Sequence, residues 1–440
     1  MPKAQASSDY RYAYIVHSGD AKELALILLD NASPQAHEQR QIPIPADRQF
    51  QFFGAIPSPT GEWIALPFQS PEGTRLQLYN ILSSEIFDVV DGSLSLRDIN
   101  GLPDQHLVWS PDGKNLAFLA VASTDDKEST GGVFIYSVDT QNTLKLVDET
   151  SFYARLAWSA DSKLLAISNR ECADTQRCEF SLSIADTTTD SITQSVNISF
   201  LDFGAASYIG VDTLCSLDWS PDSRYISFIP ICSYEPSPIP KEIYVWDTQS
   251  DELTPLTSFT TDVQIPQDGM FSVGFYSVVW ITADALLVSG VWGTNASLQT
   301  GTFMAHVADK TMTEISADAV EYWALSPTRQ KAAYRSTAAI DAERLVSDPP
   351  KLNISDVGAD SSLSNSSTTT INACRLSWSP DSATLAYTFQ TDLDSFGRSC
   401  TLAPLGIGLM DASTKQTVEY SFTSDERSKG VVIVGWVRVQ

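Results

Sequence analysis

No run of about eighteen apolar residues occurs anywhere in this 440-residue chain, which argues against a membrane-spanning helix. Met1 to Asp9 is short and polar, with no apolar centre, so no signal peptide is visible. Histidine is scarce. His17, His37, His106 and His306 are the whole supply, and none stands at the i, i+4 spacing of a helical zinc motif. No Gly-x-Ser-x-Gly elbow is present, which removes the usual nucleophile of an α/β-hydrolase. There is no glycine-rich phosphate loop, and Gly131-Gly132 stands alone. Basic residues are outnumbered, 28 against 54 acidic, for a formal charge of −26. Such a surface repels nucleic acid and anionic membrane, and suits cations, basic partners or simple solubility.

What the chain does have is a repeat. Trp109-Ser110-Pro111-Asp112-Gly113 returns as Trp158-Ser159-Ala160-Asp161-Ser162, Trp219-Ser220-Pro221-Asp222-Ser223 and Trp378-Ser379-Pro380-Asp381-Ser382. A short apolar run follows each copy, such as Leu164-Leu165-Ala166-Ile167. Strand, tight turn, strand is the reading. Proline presets φ at the first central turn position, and Asp or Ser bonds the turn backbone. The repeated Asp is therefore expected to cap turns. Weaker relatives start at Pro57, Trp280, Leu325 and Trp436. The anchors at 57, 109, 158, 219, 280, 325, 378 and 436 are 45 to 61 residues apart. Spacing of about 40–50 residues plus loops is that of four-stranded propeller blades.

Trp436 ends the chain with no strand after it, while Tyr10–Val16 and Leu24–Leu29 read as strands at the other terminus. The expectation is an all-β, eight-bladed propeller of antiparallel four-stranded blades. Its ring is closed by the C-terminal strand pairing with the N-terminal strands. Seven blades is the alternative. Residues 1–9 are expected to be linker-like, and 10–440 one propeller domain.

The hairpin, followed by strands such as Val133-Phe134-Ile135-Tyr136 or Ile243-Tyr244-Val245-Trp246-Asp247, resembles the TolB-like, WD-like propeller repeats. It is similar to the propeller domains of prolyl-oligopeptidase-type proteins. The resemblance implies fold and says little of function, because propellers host unrelated activities. No hydrolase segment follows the propeller, so the Ser-His-Asp chemistry of those enzymes is not carried over.

The cysteines fall in local pairs: Cys172 with Cys178 in one loop, Cys215 with Cys232 flanking a turn, Cys374 with Cys400 around another. An even count that pairs off blade by blade reads as three disulfides, with six free buried thiols as the alternative. Disulfides persist outside the reducing cytosol. The expected location is therefore extracellular, cell-surface or periplasmic, with the export signal absent from this numbering. Zinc is disfavoured by the cysteine spacing.

Long loops are where a rigid scaffold carries function. The segment from Phe200 to Trp292 is the richest, with prolines and Tyr234, Phe271, Tyr276 and Trp292 as candidate binding residues. Asp392-Leu393-Asp394 with Gly397 is the best cation candidate, a partial Ca²⁺ loop; no other cofactor is implied. Asn31, Asn197, Asn295, Asn353 and Asn365 begin Asn-x-Ser sequons. The function expected is a non-catalytic secreted or cell-surface module that binds or assembles with a protein. A hydrolase or lyase acting on polysaccharide or peptide in a central channel, and a solute-binding sensor, are the alternatives. No catalytic residues are nominated.

Overall fold

A computed structural model describes residues 9–31, 33–51, 54–71, 73–89, 94–96, 106–122, 131–150, 154–174, 177–198, 214, 216–229, 243–261, 274–294, 297–317, 319–337, 351–358, 361–371, 373–390 and 404–439. The chain is all-β and forms an eight-bladed β-propeller. By internal contacts it divides into two units, 1–156 with 377–388 and 403–440, and 157–376 with 389–402.

In the first unit, the first blade has the strand order His37–Ile42, Leu24–Leu29, Tyr10–His17, Val431–Arg438. The last strand of the chain thus completes the first blade. Tyr10 pairs with Arg438 and Val16 with Val431, across one irregularity at Ala13/Tyr14. The second blade is built on the hairpin Trp63–Ser70 and Gly73–Asn80. The third runs Leu107–Trp109, Asn115–Ala122, Gly131–Ser137, Asn142–Thr150. Most of the eighth blade belongs here as well, including Gly406–Asp411 and Thr417–Ser421.

The second unit carries four blades. The fourth starts at Leu156–Trp158, the fifth at Ser216–Trp219, the sixth at Gly274–Trp280 and the seventh at Ala319–Leu325. Ser361 to Thr370, so rich in serine and threonine, contributes the outer strand Leu363–Thr369 of the seventh blade.

The repeated turn is a small hydrogen-bonded relay. In the third blade the Ser110 hydroxyl donates to Asp112 Oδ1 at 2.6 Å. Ser110 Oγ accepts the Asn115 N–H at 2.9 Å, and Asp112 Oδ1 accepts the Lys114 N–H at 3.1 Å. Gly113 follows at φ 71°, the left-handed region that turn requires. The same relay recurs at Ser159/Asp161, Ser220/Asp222 and Ser379/Asp381. These aspartates are turn caps, as their number suggests.

The corner tryptophans do more than mark turns. Trp109 donates its indole N–H to the Ile56 carbonyl, and Trp219 donates to that of Ala157. Trp436 donates to the Ser377 carbonyl, and Trp280 to the Ser227 hydroxyl. Each donor reaches the neighbouring blade within its own unit. A buried indole N–H needs an acceptor, so this bond fixes how two blades meet while the ring fills the space between them. The cores follow this plan: Trp219 packs with Ala166, Ile184 and Phe228, and Trp280 with Tyr225, Leu286 and Phe303.

Candidate functional site

A groove lies in the first unit, on the blade that joins the two ends of the chain. It encloses about 310 Å³. Strand alternation builds one wall: His37, Gln39 and Gln41 share one face of the outermost strand and line the groove together. Val16, Ala25 and Ile27 form an apolar floor. The opposite wall is the short helix Ser424–Lys429 with Tyr420 before it.

That helix exists because Thr423-x-x-Glu426 is a capping box. Thr423 Oγ1 accepts the Glu426 N–H at 3.2 Å, and Glu426 Oε2 accepts the Thr423 N–H at 2.7 Å. The Tyr14 hydroxyl donates to Glu426 Oε1 at 2.6 Å, and Tyr420 donates to the same carboxylate at 3.0 Å. Burial pushes the Glu426 carboxyl upward, but bonds from Tyr14, Thr423 and Tyr420 outweigh it and hold it below its ordinary value. Burial, reinforced by Glu426, pushes the Tyr14 phenol far up.

Two more polar groups of the groove are committed as well. Lys429 Nζ pairs with Asp425 at 2.9 Å, one helical turn away. The Ser18 hydroxyl donates to Asp20 at 2.6 Å and accepts the Lys22 and Glu23 N–H groups, so it is a turn residue. His17 Nδ1 lies 3.0 Å from the Ser18 carbonyl, not its hydroxyl. A Cβ on Gly430, at φ 114°, would collide with the His17 ring, so glycine there lets helix and imidazole close up. The groove therefore offers amides and imidazoles over an apolar floor.

The second unit holds a carboxylate pushed well above its ordinary range. Asp218 reaches solvent, yet protein crowds it enough for desolvation to push its carboxyl up to about 6, against the Trp219 N–H and the charge of Arg329. A carboxyl raised in the fold keeps a proton that the unfolded chain has lost. Stability tied to it is thus complete below about pH 4 and falls as pH rises to about 6. Asp218→Asn removes that loss. Its expected effect is a gain of about 1 kcal/mol at pH 7.5 and none at pH 4, solvent access reducing the dry-site value. Urea titrations at the two pH values measure it; equal shifts at both would contradict it.

The residues singled out from sequence fall unevenly. Tyr234, Phe271, Asp392 and Asp394 lie outside the described residues, as do Cys215, Cys232 and Cys400. Tyr276 lies in strand Gly274–Trp280 and Trp292 in Ala285–Thr294, two consecutive strands of the sixth blade. Their side chains are likewise outside the description. Cys172 and Cys178 are direct cross-strand partners in the fourth blade. Cys374 is buried in the first strand of the eighth blade and is not free. Among the described residues no group of three or more His, Cys, Asp or Glu could hold a metal ion. No helix among them is long and apolar enough to cross a membrane. Of the sequons, Asn31 and Asn353 are drawn inward: Asn31 Nδ2 donates to the Tyr10 carbonyl, and Asn353 Nδ2 to the Ser336 hydroxyl. Asn197 is exposed at a strand end.

The groove was not nominated from sequence, because its histidines look scattered until the first hairpin folds. The one local signal was the capping box after Phe422.

No family model matches the chain, and no curated protein matches it. Among solved structures, one from an analysis of two prolyl endopeptidases is similar over 87% of this chain and 50% of its own, at 14% identity and a TM-score of 0.51. A structure of the eukaryotic initiation factor is similar over 98% of both chains, at 11% identity and a TM-score of 0.51. The β-propeller domain of the trilobed protease from Pyrococcus furiosus covers 87% of this chain and 97% of its own, at 13% identity and a TM-score of 0.46. At these identities likeness shows the fold alone, and the chain spans half the length of the prolyl endopeptidase structure. Fold and topology make this a β-propeller, and its corner repeat resembles that of the TolB-like propellers.

Proposed function

We propose that the protein is a non-catalytic module that binds a protein partner, in extended form, along the groove of the first blade. One observation carries this reading. Glu426, Asp425 and Ser18 in the groove are committed to structural bonds, while the outermost strand His37–Ile42 borders an apolar floor. An unpaired sheet edge beside a groove suits an added strand, with backbone bonds for affinity and the groove for side-chain selection. The formal charge of −26 favours a basic segment and speeds its encounter at low salt. Three local disulfides, and a place outside the reducing cytosol, belong to the same reading; the facing positions of Cys172 and Cys178 support it. A bound Ca²⁺ at Asp392 and Asp394 stays a secondary proposal.

Fluorescence anisotropy with labelled ten-residue peptides tests it. Lysine- and arginine-rich alternating peptides are expected to bind, more weakly at higher salt, and glutamate-rich ones not. Ala25→Trp fills the floor and is expected to weaken binding at least tenfold with an unchanged circular dichroism spectrum. Equal binding of both peptide classes, or no effect of Ala25→Trp, would overturn the reading.

A further inference from the structure

One carboxylate of the first-blade groove has no structural bond. Glu426 is held by Tyr14, Tyr420 and the Thr423 N–H, and Asp425 by Lys429. Glu23 lines the same groove and is exposed. Among the described residues its carboxylate makes no hydrogen bond, and no cationic nitrogen lies within the 4.0 Å of an ion pair. Its backbone, by contrast, is fixed on both sides. The Ser18 N–H donates to the Glu23 carbonyl at 3.0 Å, and the Glu23 N–H donates to Ser18 Oγ at 3.0 Å.

Those bonds set where the carboxylate stands. His17 and Leu24 are ladder partners, and the bond from Ser18 carries the pairing one residue further. Side chains alternate along an extended chain, so Glu23 shares a face with Ala25 and Ile27, in the floor of the groove. Ala25 lies between Val16 and Gln41 across the sheet, and Ile27 between Tyr14 and Gln39. The row runs from Glu23 at one end to His37, edge-on to Tyr420 at 5.9 Å between ring centres, at the other. The lining carries three carboxylates against one ammonium, so the groove favours a cation.

We propose that Glu23 is the specificity-determining residue of this groove. It receives the charged head of one lysine or arginine of the bound segment, and the stem of that side chain lies on Ala25. This rests on the peptide-binding reading above, and it assigns the preference for basic segments to one position and one face. Glu23 stands two residues, about 7 Å, from Ala25 along the chain. The stem of a lysine or arginine covers such a stretch of apolar surface while its head stays in water. A carboxylate with no other bond gives that head a charge-assisted partner without breaking one. A segment added at the edge of His37–Ile42 also alternates, so its basic residue and the apolar residue over Ile27 are two positions apart.

The test is fluorescence anisotropy on the full chain at low salt, with a labelled ten-residue peptide of alternating leucine and threonine. In one version lysine replaces a leucine, in a second norleucine replaces the same leucine, and in a third lysine replaces a threonine. Lysine on the leucine face is expected to bind about fivefold more tightly than norleucine there, as an exposed ion pair allows, and the gain should fade at high salt. Lysine on the threonine face gains only from the overall negative charge, and should gain less than half as much. Glu23→Gln is expected to bring the first gain down to the second, with the norleucine peptide's affinity and the circular dichroism spectrum unchanged. If the peptides bind and Ala25→Trp weakens them, but the gain is equal on both faces or survives Glu23→Gln, the assignment of Glu23 is overturned and the groove reading stands. Failure of all three peptides to bind would overturn both.

Discussion

Replacing Trp436 with alanine is expected to destabilise the protein by about 3–5 kcal/mol, the cost of emptying a large buried aromatic site. Trp436 is 5% exposed and lies on the strand that brings the end of the chain to its beginning. It meets Tyr12 edge-on at 5.4 Å between ring centres, and the two residues are ladder partners. Ile407 and Leu409 belong to the same cluster. Its indole N–H donates to the Ser377 carbonyl at 3.1 Å. The substitution therefore removes apolar burial, an aromatic pair and a hydrogen bond to the neighbouring blade. Trp436→Phe keeps most of the ring contact and loses the hydrogen bond, so its expected cost is about 1–2 kcal/mol. Urea unfolding of both variants measures the difference. A cost below about 1 kcal/mol for Trp436→Ala would mean that the terminal strand is not a structural part of the first blade.

Replacing Glu426 with alanine is expected to cost about 2–4 kcal/mol, although the residue sits in a helix of six residues. Two losses combine. The capping box disappears, and the Tyr14 hydroxyl loses the carboxylate it donates to at 2.6 Å. Tyr14 is fully buried, so its hydroxyl has no water to turn to. Glu426→Gln keeps an acceptor in place and is expected to cost less than half as much. The pH dependence has a definite sign. The folded carboxyl lies below its ordinary value, so its contribution is complete at neutral pH and above about 4.5. It is lost as pH falls through the lowered folded value. The gap in stability between wild type and Glu426→Gln should therefore narrow in acid. A gap that stays constant from pH 7 to pH 3 would contradict the role given to the charge.

The blades were legible because their corners are made by local chemistry. A Ser two residues before an Asp, after a Trp and before an apolar run, states both the turn and the strands on either side of it. Weaker copies keep part of the device. Ser58 with Thr60, and Ser326 with Thr328, replace the carboxylate by a second hydroxyl. The corner at Trp280 drops the serine altogether; there Asp284 Oδ1 accepts the Ala308 N–H across the hairpin instead. The reach of each indole N–H to the neighbouring blade was not legible, because nothing in the repeat specifies what a donor points at. Nor was the groove, since His17 and Lys429 meet only when the first and last strands pair.

Native-state hydrogen exchange, read segment by segment, is the most direct test of this architecture. The backbone amides in Tyr10–His17 and Val431–Arg438 should be protected to the same degree and should open together, with the stability of the unit they hold closed. Rapid exchange of the C-terminal strand at the rate of an unfolded peptide, while Tyr10–His17 stays protected, would show that the blade is complete without it and that the two ends of the chain are not joined in this way.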